Sequence, residues 1–475
     1  MVRAMVQIPR PLYSWWVIGL VGVLLVEPVV RPRLVFVQPT AAPPPVLHHI
    51  SVGQFYPGIA PVVAVNELAA RAYVGITGMS TGAGYIGFLD SRSGALAHAV
   101  PLPFEVDHIA VAAHLARVVV AQQGGTRVSV LDGRTGVLVR TVPLSPGVET
   151  TALAVDDTQG RVYAVGASPC QASVQQCMTT VQEIDLRTGM RKWTIVLHDH
   201  QLIAWSAAVV DSQARTLILV GRATVDFRSD YATVDVVATS DGHLIRHTVL
   251  PYDLEGAAQD DQVALDQTTG RVFVAVALAP YAAPPTGPGA ILTTSSVVVL
   301  DTRTGRVVHT VRLGTGSAAV AVDERDGRAF ATTYGPTRLL FISAQDRRQP
   351  ERRRLVTKVT GDGALYMLDV HEGRVLRVVP MGMATTAIAV DARHRRAYVA
   401  SAGGMTRTGA YAGSGTVQIV DTRNMAILRR VRVDLNPLRL VLDSQARRLF
   451  VASVGPYKAN MLGSGYVSVL DTTHQ

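Results

Sequence analysis

The sequence predicts an all-β fold, an eight-bladed β-propeller of four-stranded antiparallel sheets. Short runs rich in β-branched residues recur along the whole chain, and two kinds of tight turn recur between them. The stretch from Val263 to Gly314 shows one unit most clearly. Its four strand-like runs lie at 263–265, 271–276, 297–300 and 307–313. Residues of this type suit a pleated, packed surface, and stacked neighbours would bury the faces that a single sheet leaves exposed.

Most units contain two turns that open on a polar residue, usually aspartate. Asp266–Gly270 joins the first two strands of the unit above, and Asp301–Gly305 joins the last two. An aspartate side chain accepts hydrogen bonds from the N–H groups of such a turn, and glycine supplies the positive φ that ends it. We therefore expect four strands, A to D, with tight A–B and C–D turns and a looser B–C connection.

Both turn signatures give eight units. The A–B signature, a turn residue followed five positions later by arginine or an equivalent, begins at Asn66, Ala112, Asp156, Asp211, Asp266, Asp323, Asp391 and Asp443. The C-strand signature ends at Asp90, Asp132, Asp185, Asp301, Asp369, Asp421 and Asp471, with a degenerate copy at 236–242. The last unit lacks a D strand, and Val46–Gly53 resembles one. We expect this N-terminal strand to close the ring and remove its exposed edges, with seven blades as the alternative count.

Four B strands share a further pattern, in which arginine precedes a small or aliphatic residue and an aromatic one. They lie at Arg71–Gly75, Arg161–Val165, Arg396–Ala400 and Arg448–Ala452. Together with the C–D elements at 131–136 and 300–305, they resemble the YVTN-type (surface-layer-type) β-propeller family, although the Thr-Asn half of the family tetrapeptide is absent. The resemblance covers about residues 46–473. It implies a propeller fold and frequent export, but no particular reaction.

The N-terminal residues differ in composition from the repeats. Leu12–Val26 is an apolar run that is long for a signal-peptide core and short for a membrane-spanning helix. We predict that residues 1–37 contain a hydrophobic helix, acting as an export signal or as an uncleaved membrane anchor. Residues 38–45 would form a Pro-rich spacer, and residues 46–475 the propeller. The predicted location is extracytoplasmic, either secreted or held at the membrane.

The formal net charge is +9, and arginine supplies nearly all of the positive charge because the chain has only three lysines. Nucleic-acid binding needs clustered basic residues, whereas most of these arginines occur singly at B-strand starts or inside C–D turns. We therefore expect no nucleic-acid partner. We expect the closed ring to be a monomer.

Long insertions are predicted mainly between B and C strands, which emerge on the same face of the ring as the D–A connections. Because binding residues tend to lie on variable loops of a rigid scaffold, we predict that this face is functional. The insertion predicted at Ser343–Asp362 contains a basic run, Arg347, Arg348, Arg352, Arg353 and Arg354. Such a run would suit anionic lipid or an acidic polymer, and a solvated loop is the alternative.

The D–A loops of the first four units contain acidic residues and histidines. Carboxylates and imidazoles that converge from neighbouring blades would bind a divalent metal or act as acid and base. The candidate metal ligands are His198, His200, Asp107, His108, Asp253 and Glu255, with a solvated set of polar loops as the alternative. No other cofactor is expected. Cys170 and Cys177 lie in the third B–C insertion, where an oxidising compartment would let them form a disulfide; two unpaired thiols are the alternative.

No catalytic residue can be assigned. The sequence lacks the nucleophile elbow, the zinc-protease motif, the phosphate-binding loop and the haem attachment motif. Our first hypothesis is a non-catalytic binding or cell-envelope interaction module, whose partner is a protein or an envelope polymer. The second is a hydrolase or lyase of the propeller lactonase kind that uses the acidic channel mouth. The third is a subunit that docks a redox partner.

Overall fold

A computed structural model describes residues 46–55, 61–78, 83–167, 179–197, 202–224, 230–250, 262–277, 291–292, 294–335, 337–343, 353–359, 361–405, 411–457 and 463–473. These residues form eight four-stranded antiparallel sheets, each of them one blade of a propeller. The predicted count of eight blades is confirmed, and the alternative of seven is excluded. The predicted N-terminal helix and the spacer at 38–45 lie outside the described residues. Within the described part of the chain, no helix is long and apolar enough to cross a bilayer.

The first described strand, β1 (Val46–Phe55), belongs to the last blade, and the next sixteen strands build blades one to four in chain order. Blade one contains β2 (Val63–Asn66), β3 (Arg71–Gly78), β4 (Ala83–Asp90) and β5 (Leu96–Leu102). Blade two contains β6 (His108–Ala112), β7 (Arg117–Ala121), β8 (Arg127–Asp132) and β9 (Leu138–Pro143). Blade three contains β10 (Glu149–Asp156), β11 (Arg161–Ala167), β12 (Thr179–Asp185) and β13 (Arg191–Leu197). Blade four contains β14 (Leu202–Asp211), β15 (Thr216–Thr224), β16 (Asp230–Ala238) and β17 (Leu244–Leu250).

Blades five to seven include extra strands in their B–C connections. Blade five contains β18 (Val263–Asp266), β19 (Arg271–Ala277), the short β20 (Ile291–Leu292), β21 (Thr294–Asp301) and β22 (Val307–Thr315). Blade six contains β23 (Ser317–Asp323), β24 (Arg328–Thr333), the inserted hairpin β25 (Thr337–Ser343) and β26 (Arg353–Val359), then β27 (Asp362–Asp369) and β28 (Val375–Met383). Blade seven contains β29 (Thr385–Asp391), β30 (Arg396–Ser401), the short pair β31 (Gly404–Met405) and β32 (Tyr411–Ala412), then β33 (Gly415–Asp421) and β34 (Ile427–Val433).

Blade eight closes the ring. It combines three C-terminal strands, β35 (Pro437–Asp443), β36 (Arg448–Tyr457) and β37 (Gly463–Asp471), with β1 as its outer strand. Ile50 lies opposite Val467, and Phe55 lies opposite Gly463. Val52 and Phe55 are buried in a cluster that also contains residues of blade one. The predicted closure by the N-terminal strand is therefore confirmed, and it covers the outer edge of β37.

The two faces of the ring differ in their connections. Every A–B turn between described strands has four residues, and every C–D turn between described strands has five. We call this side the turn face, and the side with the B–C and D–A connections the insert face. The last residue of each A–B turn has positive φ, and it is glycine at Gly270 but arginine at Arg447. The left-handed position of these turns thus accepts more than one residue type.

The repeated aspartates and arginines hold the turns of this face. In five blades, the first arginine of the B strand pairs with the aspartate that ends the C strand: Arg71–Asp90, Arg117–Asp132, Arg271–Asp301, Arg396–Asp421 and Arg448–Asp471. The same aspartates cap their turns, as when the Asp132 carboxylate accepts the N–H groups of Arg134 and Thr135 at 3.0 Å. In blade three, the N–H of Thr188 lowers the pKa of the Asp185 carboxyl below its ordinary value.

Glu183 departs from the repeat. Its equivalents in the other blades are apolar: Phe88, Val130, Val236, Val299, Met367, Ile419 and Val469. Glu183 is 1% exposed, and its Oε1 atom lies 3.2 Å from Nη1 of Arg161. Burial raises the pKa of the Glu183 carboxyl, and the Arg161 guanidinium opposes that rise without cancelling it. The folded protein therefore binds this proton more tightly than the unfolded chain does, and folding stability falls as the pH rises through the folded-state value.

We expect Glu183→Val to increase the free energy of unfolding at pH 7 by about 1 kcal/mol or more, because an apolar side chain avoids the cost of burying the charge. Arg161 would then pair with Asp185, its cross-strand partner. The gain should shrink towards pH 4, where the native carboxyl is protonated. Thermal melts at both pH values measure this difference. Glu149→Val, at an exposed position of the same blade, is the control; a loss of stability in the Glu183 variant at pH 7 would contradict the prediction.

Candidate interaction face

The insert face is where the blades differ from one another. The B–C connection covers only residues 79–82 in blade one and 225–229 in blade four, because the strands extend further than the sequence indicated. In blade six it covers residues 334–361. The predicted start of that insertion at Ser343 was wrong, because the β-branched and apolar residues of β25 looked like a continuation of the B strand. The predicted asymmetry holds: the extra strands of blades five to seven all lie in B–C connections.

The insertions of blades five and six join in an accessory three-stranded sheet. Its order is β20–β25–β26, with Ile291 opposite Arg338 and Leu292 opposite Thr337. An insertion from one blade is thereby fixed by hydrogen bonds to the insertion of the next. A shared sheet is a more rigid platform than two separate loops, since each strand loses its freedom to move alone.

The predicted basic run lies partly on this accessory sheet. Arg353 and Arg354 begin β26, opposite Ser343 and Ile342. Arg347, Arg348 and Arg352 lie outside the described residues. The hairpin contains a second pair of basic residues near its base, where Arg338 lies opposite Lys358. Basic residues thus occur at both ends of the hairpin's described strands.

The D–A connection of blade one shows where two of the predicted metal ligands lie. The Asp107 carboxylate accepts the backbone N–H of Gln123 at 2.8 Å, and His108 Nε2 lies 2.8 Å from Gln123 Oε1. Burial raises the pKa of the neighbouring Glu105 carboxyl, and the Asp107 charge adds to the rise. Asp107 and His108 therefore both contact Gln123.

The remaining candidates, His198, His200, Asp253, Glu255 and the cysteine pair Cys170 and Cys177, lie outside the described residues. The described residues contain no group of three or more histidine, cysteine, aspartate or glutamate side chains placed to bind a metal ion. The divalent metal and the disulfide therefore stay predictions.

The sequence analysis missed a row of polar residues that supports the insert face. Each lies three positions before the end of a C strand and contacts the segment that leads out of the preceding blade. Gln182 Oε1 accepts the N–H of Ser145 at 3.3 Å, and the Tyr366 hydroxyl accepts the N–H of Gly314 at 2.9 Å. The available signal was a polar side chain at the same offset from the end of the C strand in several blades. These contacts fix the D–A segments on which the insert face is built.

The same position in blade eight links the closing strand to this face. Ser468 Oγ donates to Asp434 Oδ2 at 2.6 Å, and Asp434 lies in the D–A segment after blade seven. Asp434 Oδ1 lies 2.9 Å from Nε2 of His49, whose ring stacks on Tyr466 with centroids 4.5 Å apart. Asp434 therefore contacts both the closing strand and its neighbour. The candidate residues had been predicted on the D–A loops of the first four units, and this loop is not one of them.

The turn face has a cleft of its own. It has a volume of about 620 Å³ and lies between the turns of blades five and six. Its lining includes basic and acidic side chains, among them Arg271, Arg325, Glu324, Asp326 and Asp369. Because acidic and basic side chains line the cleft together, it does not favour ligands of one charge sign.

Solved structures with the same fold have very different sequences. The Dos1 propeller is 11% identical, with a TM-score of 0.52, over 89% of this chain and 95% of that one. Sqt1 from Saccharomyces cerevisiae is 11% identical, with a TM-score of 0.51, over 89% of this chain and 99% of that one. A quinohemoprotein alcohol dehydrogenase from Comamonas testosteroni is 11% identical, with a TM-score of 0.50, over 90% of this chain and 77% of that one. No family model matches the chain, and no curated protein sequence is significantly similar to it. At such identity, these likenesses show the propeller fold alone.

Proposed function

We propose that this protein is an exported or membrane-tethered propeller of the YVTN type that acts as a non-catalytic binding module, with the insert face as its binding surface. One observation supports this most directly: the extra strands of blades five to seven are all found on one face. A propeller ring needs only short connections on both faces to close, so the elaboration of one face needs another reason. Binding surfaces are commonly built from such loops on a rigid scaffold.

The accessory sheet is the part of this face best suited to a macromolecular partner. It combines hydrogen-bonded strands from two blades with basic residues at Arg338, Arg354 and Lys358. A preorganised sheet loses less conformational entropy on binding than a mobile loop does. An acidic protein surface or an anionic envelope polymer would match its charge.

Trimming the hairpin tests this proposal. In the trimmed variant, residues 334–361 are replaced by a connection as short as that of blade four. The control variant leaves the insert face intact and replaces the turn at 324–327 with the Gln-Thr-Thr-Gly sequence of 267–270. Each protein is cross-linked in extracytoplasmic extracts, and captured proteins and polymers are identified.

We expect a partner that the native and control proteins both retain and that the trimmed variant loses by about tenfold or more, as for removal of a central interface cluster. Equal recovery by the trimmed variant would contradict the proposal. The melting temperatures of the three proteins must agree, so that a lost partner reports the surface and not the fold.

A further inference from the structure

The outer strands of the blades share an exposed apolar position. In each blade it is the first residue of the outer strand, and it pairs with the next-to-last residue of the C strand. Examples are Leu138 opposite Leu131 and Val307 opposite Leu300. Six of the eight side chains at this position are apolar and 37–52% exposed: Val46, Leu96, Leu138, Leu244, Val307 and Val375. The other two are the half-buried Ile427 and the basic Arg191. We call the six the rim residues.

The rim residues lie at one height around the ring. Each D strand starts from a C–D turn, so an identical register in every blade places these side chains beside the turn face. Single exposed apolar residues are common on any protein surface. The recurrence of such residues at one register position in six blades gives this rim a repeated apolar character.

Exposed arginines lie next to the rim. The second residue of the C–D turn is an exposed arginine in five blades: Arg92, Arg134, Arg187, Arg303 and Arg423. The carboxylates of these turns are already engaged, since Asp301 accepts the N–H of Thr304 at 2.9 Å and pairs with Arg271. The equivalent residues of blades four and six are Ser240 and His371. The next residue in each of these two turns is an exposed acid, Asp241 or Glu372, which pairs with a basic neighbour.

The N-terminal segment is joined to the same face. Val46, the first residue of β1, lies opposite Leu470, at the end of the C strand that leads to the turn face. The polypeptide before Val46 is therefore attached at the turn face, and it includes the apolar run at 12–26.

We propose that the turn face, through its rim residues and turn arginines, lies against an anionic lipid surface, and that the insert face points away from it. Apolar side chains at the level of the headgroups, flanked by arginines, are the combination that an anionic bilayer surface binds. This inference rests on the tether in the proposed function. It also assigns the insert-face hairpin to partners beyond the membrane, because the two faces lie on opposite sides of the ring.

Vesicle binding by the full chain tests the orientation. The turn variant carries Arg92→Gln, Arg134→Gln and Arg303→Gln. The control carries Arg127→Gln, Arg312→Gln and Arg432→Gln, at arginines that are also exposed but lie towards the insert-face ends of their strands. Binding is compared between phosphatidylcholine vesicles and vesicles that also contain phosphatidylglycerol. Binding to neutral vesicles measures the contribution of the N-terminal tether. The ratio of anionic to neutral binding measures the contribution of the turn face.

We expect the ratio to fall by about tenfold in the turn variant and to change little in the control, since each basic residue near an anionic surface contributes about fivefold at most. Hydrogen exchange on the vesicles should slow in the C–D turns and not in the B–C connections. An equal fall in both variants, or a native ratio near one, would overturn the proposal. Absence of binding to neutral vesicles, together with binding to anionic vesicles that still falls in the turn variant and not in the control, would refute the tether and leave the face assignment standing.

Discussion

Val52→Asp is expected to open the ring and to lower the melting temperature by about 10 °C or more. Val52 is fully buried in the core that blade eight shares with blade one. An unpaired carboxylate at such a site costs several kcal/mol after relaxation of its surroundings. Strand β1 can avoid that cost by leaving the blade, which would expose the edge of β37 and the side chains around Phe55. Thermal denaturation together with limited proteolysis after residue 45 would measure both effects.

Ser51→Asp is the matched control for that experiment. It introduces the same charge on the same strand at the adjacent residue, and Ser51 is exposed. Because side chains alternate between the faces of a strand, a one-residue shift moves the carboxylate from the core to solvent. We expect its melting temperature to change by no more than about 2 °C. If both variants melt alike, the closing strand does not stabilise the ring through its buried face.

The ring and its closure could be predicted because the turns depend on short-range chemistry. Asp132 holds the N–H groups of its own turn and pairs with Arg117 across the adjacent strand. That arrangement needs an aspartate and an arginine at fixed spacing, so it leaves a signature in the sequence. Once eight signatures had been found, the last unit had only three strands. A strand near Val46 was then the remaining way to complete the final blade.

The bounds of the insertions could not be predicted to the same degree. The residues of β25 are as rich in apolar and β-branched types as a true B strand, and only tertiary pairing with Leu292 and β26 distinguishes them. The contact between Ser145 and Gln182 was missed for a different reason. It joins residues of neighbouring blades, and nothing in the local sequence pattern of either residue specifies the partner.

The turn face and the insert face have different physical roles. The short turn face supplies the ion pairs that hold five of the blades, and its outer rim adds exposed apolar and arginine side chains. The insert face adds hydrogen-bonded extensions that the ring does not need for closure. A propeller that used one face for the membrane and the other for partners would keep both sites rigid relative to each other, since the same four-stranded blades connect them.

Asp211→Ala should be among the most destabilising single changes on the turn face. The side chain is 1% exposed; its Oδ1 accepts the N–H groups of Gln213 and Ala214 at 3.0 and 2.8 Å, and its Oδ2 accepts the Thr302 hydroxyl at 2.6 Å. Removing the carboxylate leaves three buried or half-buried donors without this acceptor, and each loss costs about 1–3 kcal/mol. We expect the free energy of unfolding to fall by about 3 kcal/mol or more, measured by denaturant titration. Asp241→Ala, at an exposed aspartate, should change it little.

A second substitution distinguishes the lost inter-blade contact from general damage to the turn. Blades two and three place Ala112 and Leu186 at the positions that Asp211 and Thr302 occupy in blades four and five, and both are buried in one apolar cluster. The protein thus already contains an apolar version of this contact. Thr302→Leu in the Asp211→Ala background should recover about 1 kcal/mol or more, while Thr302→Leu alone should destabilise by stranding the carboxylate. Additive losses in the double variant would show that the hydroxyl and the carboxylate do not act as a pair, and that the stability of this turn depends on its own backbone hydrogen bonds alone.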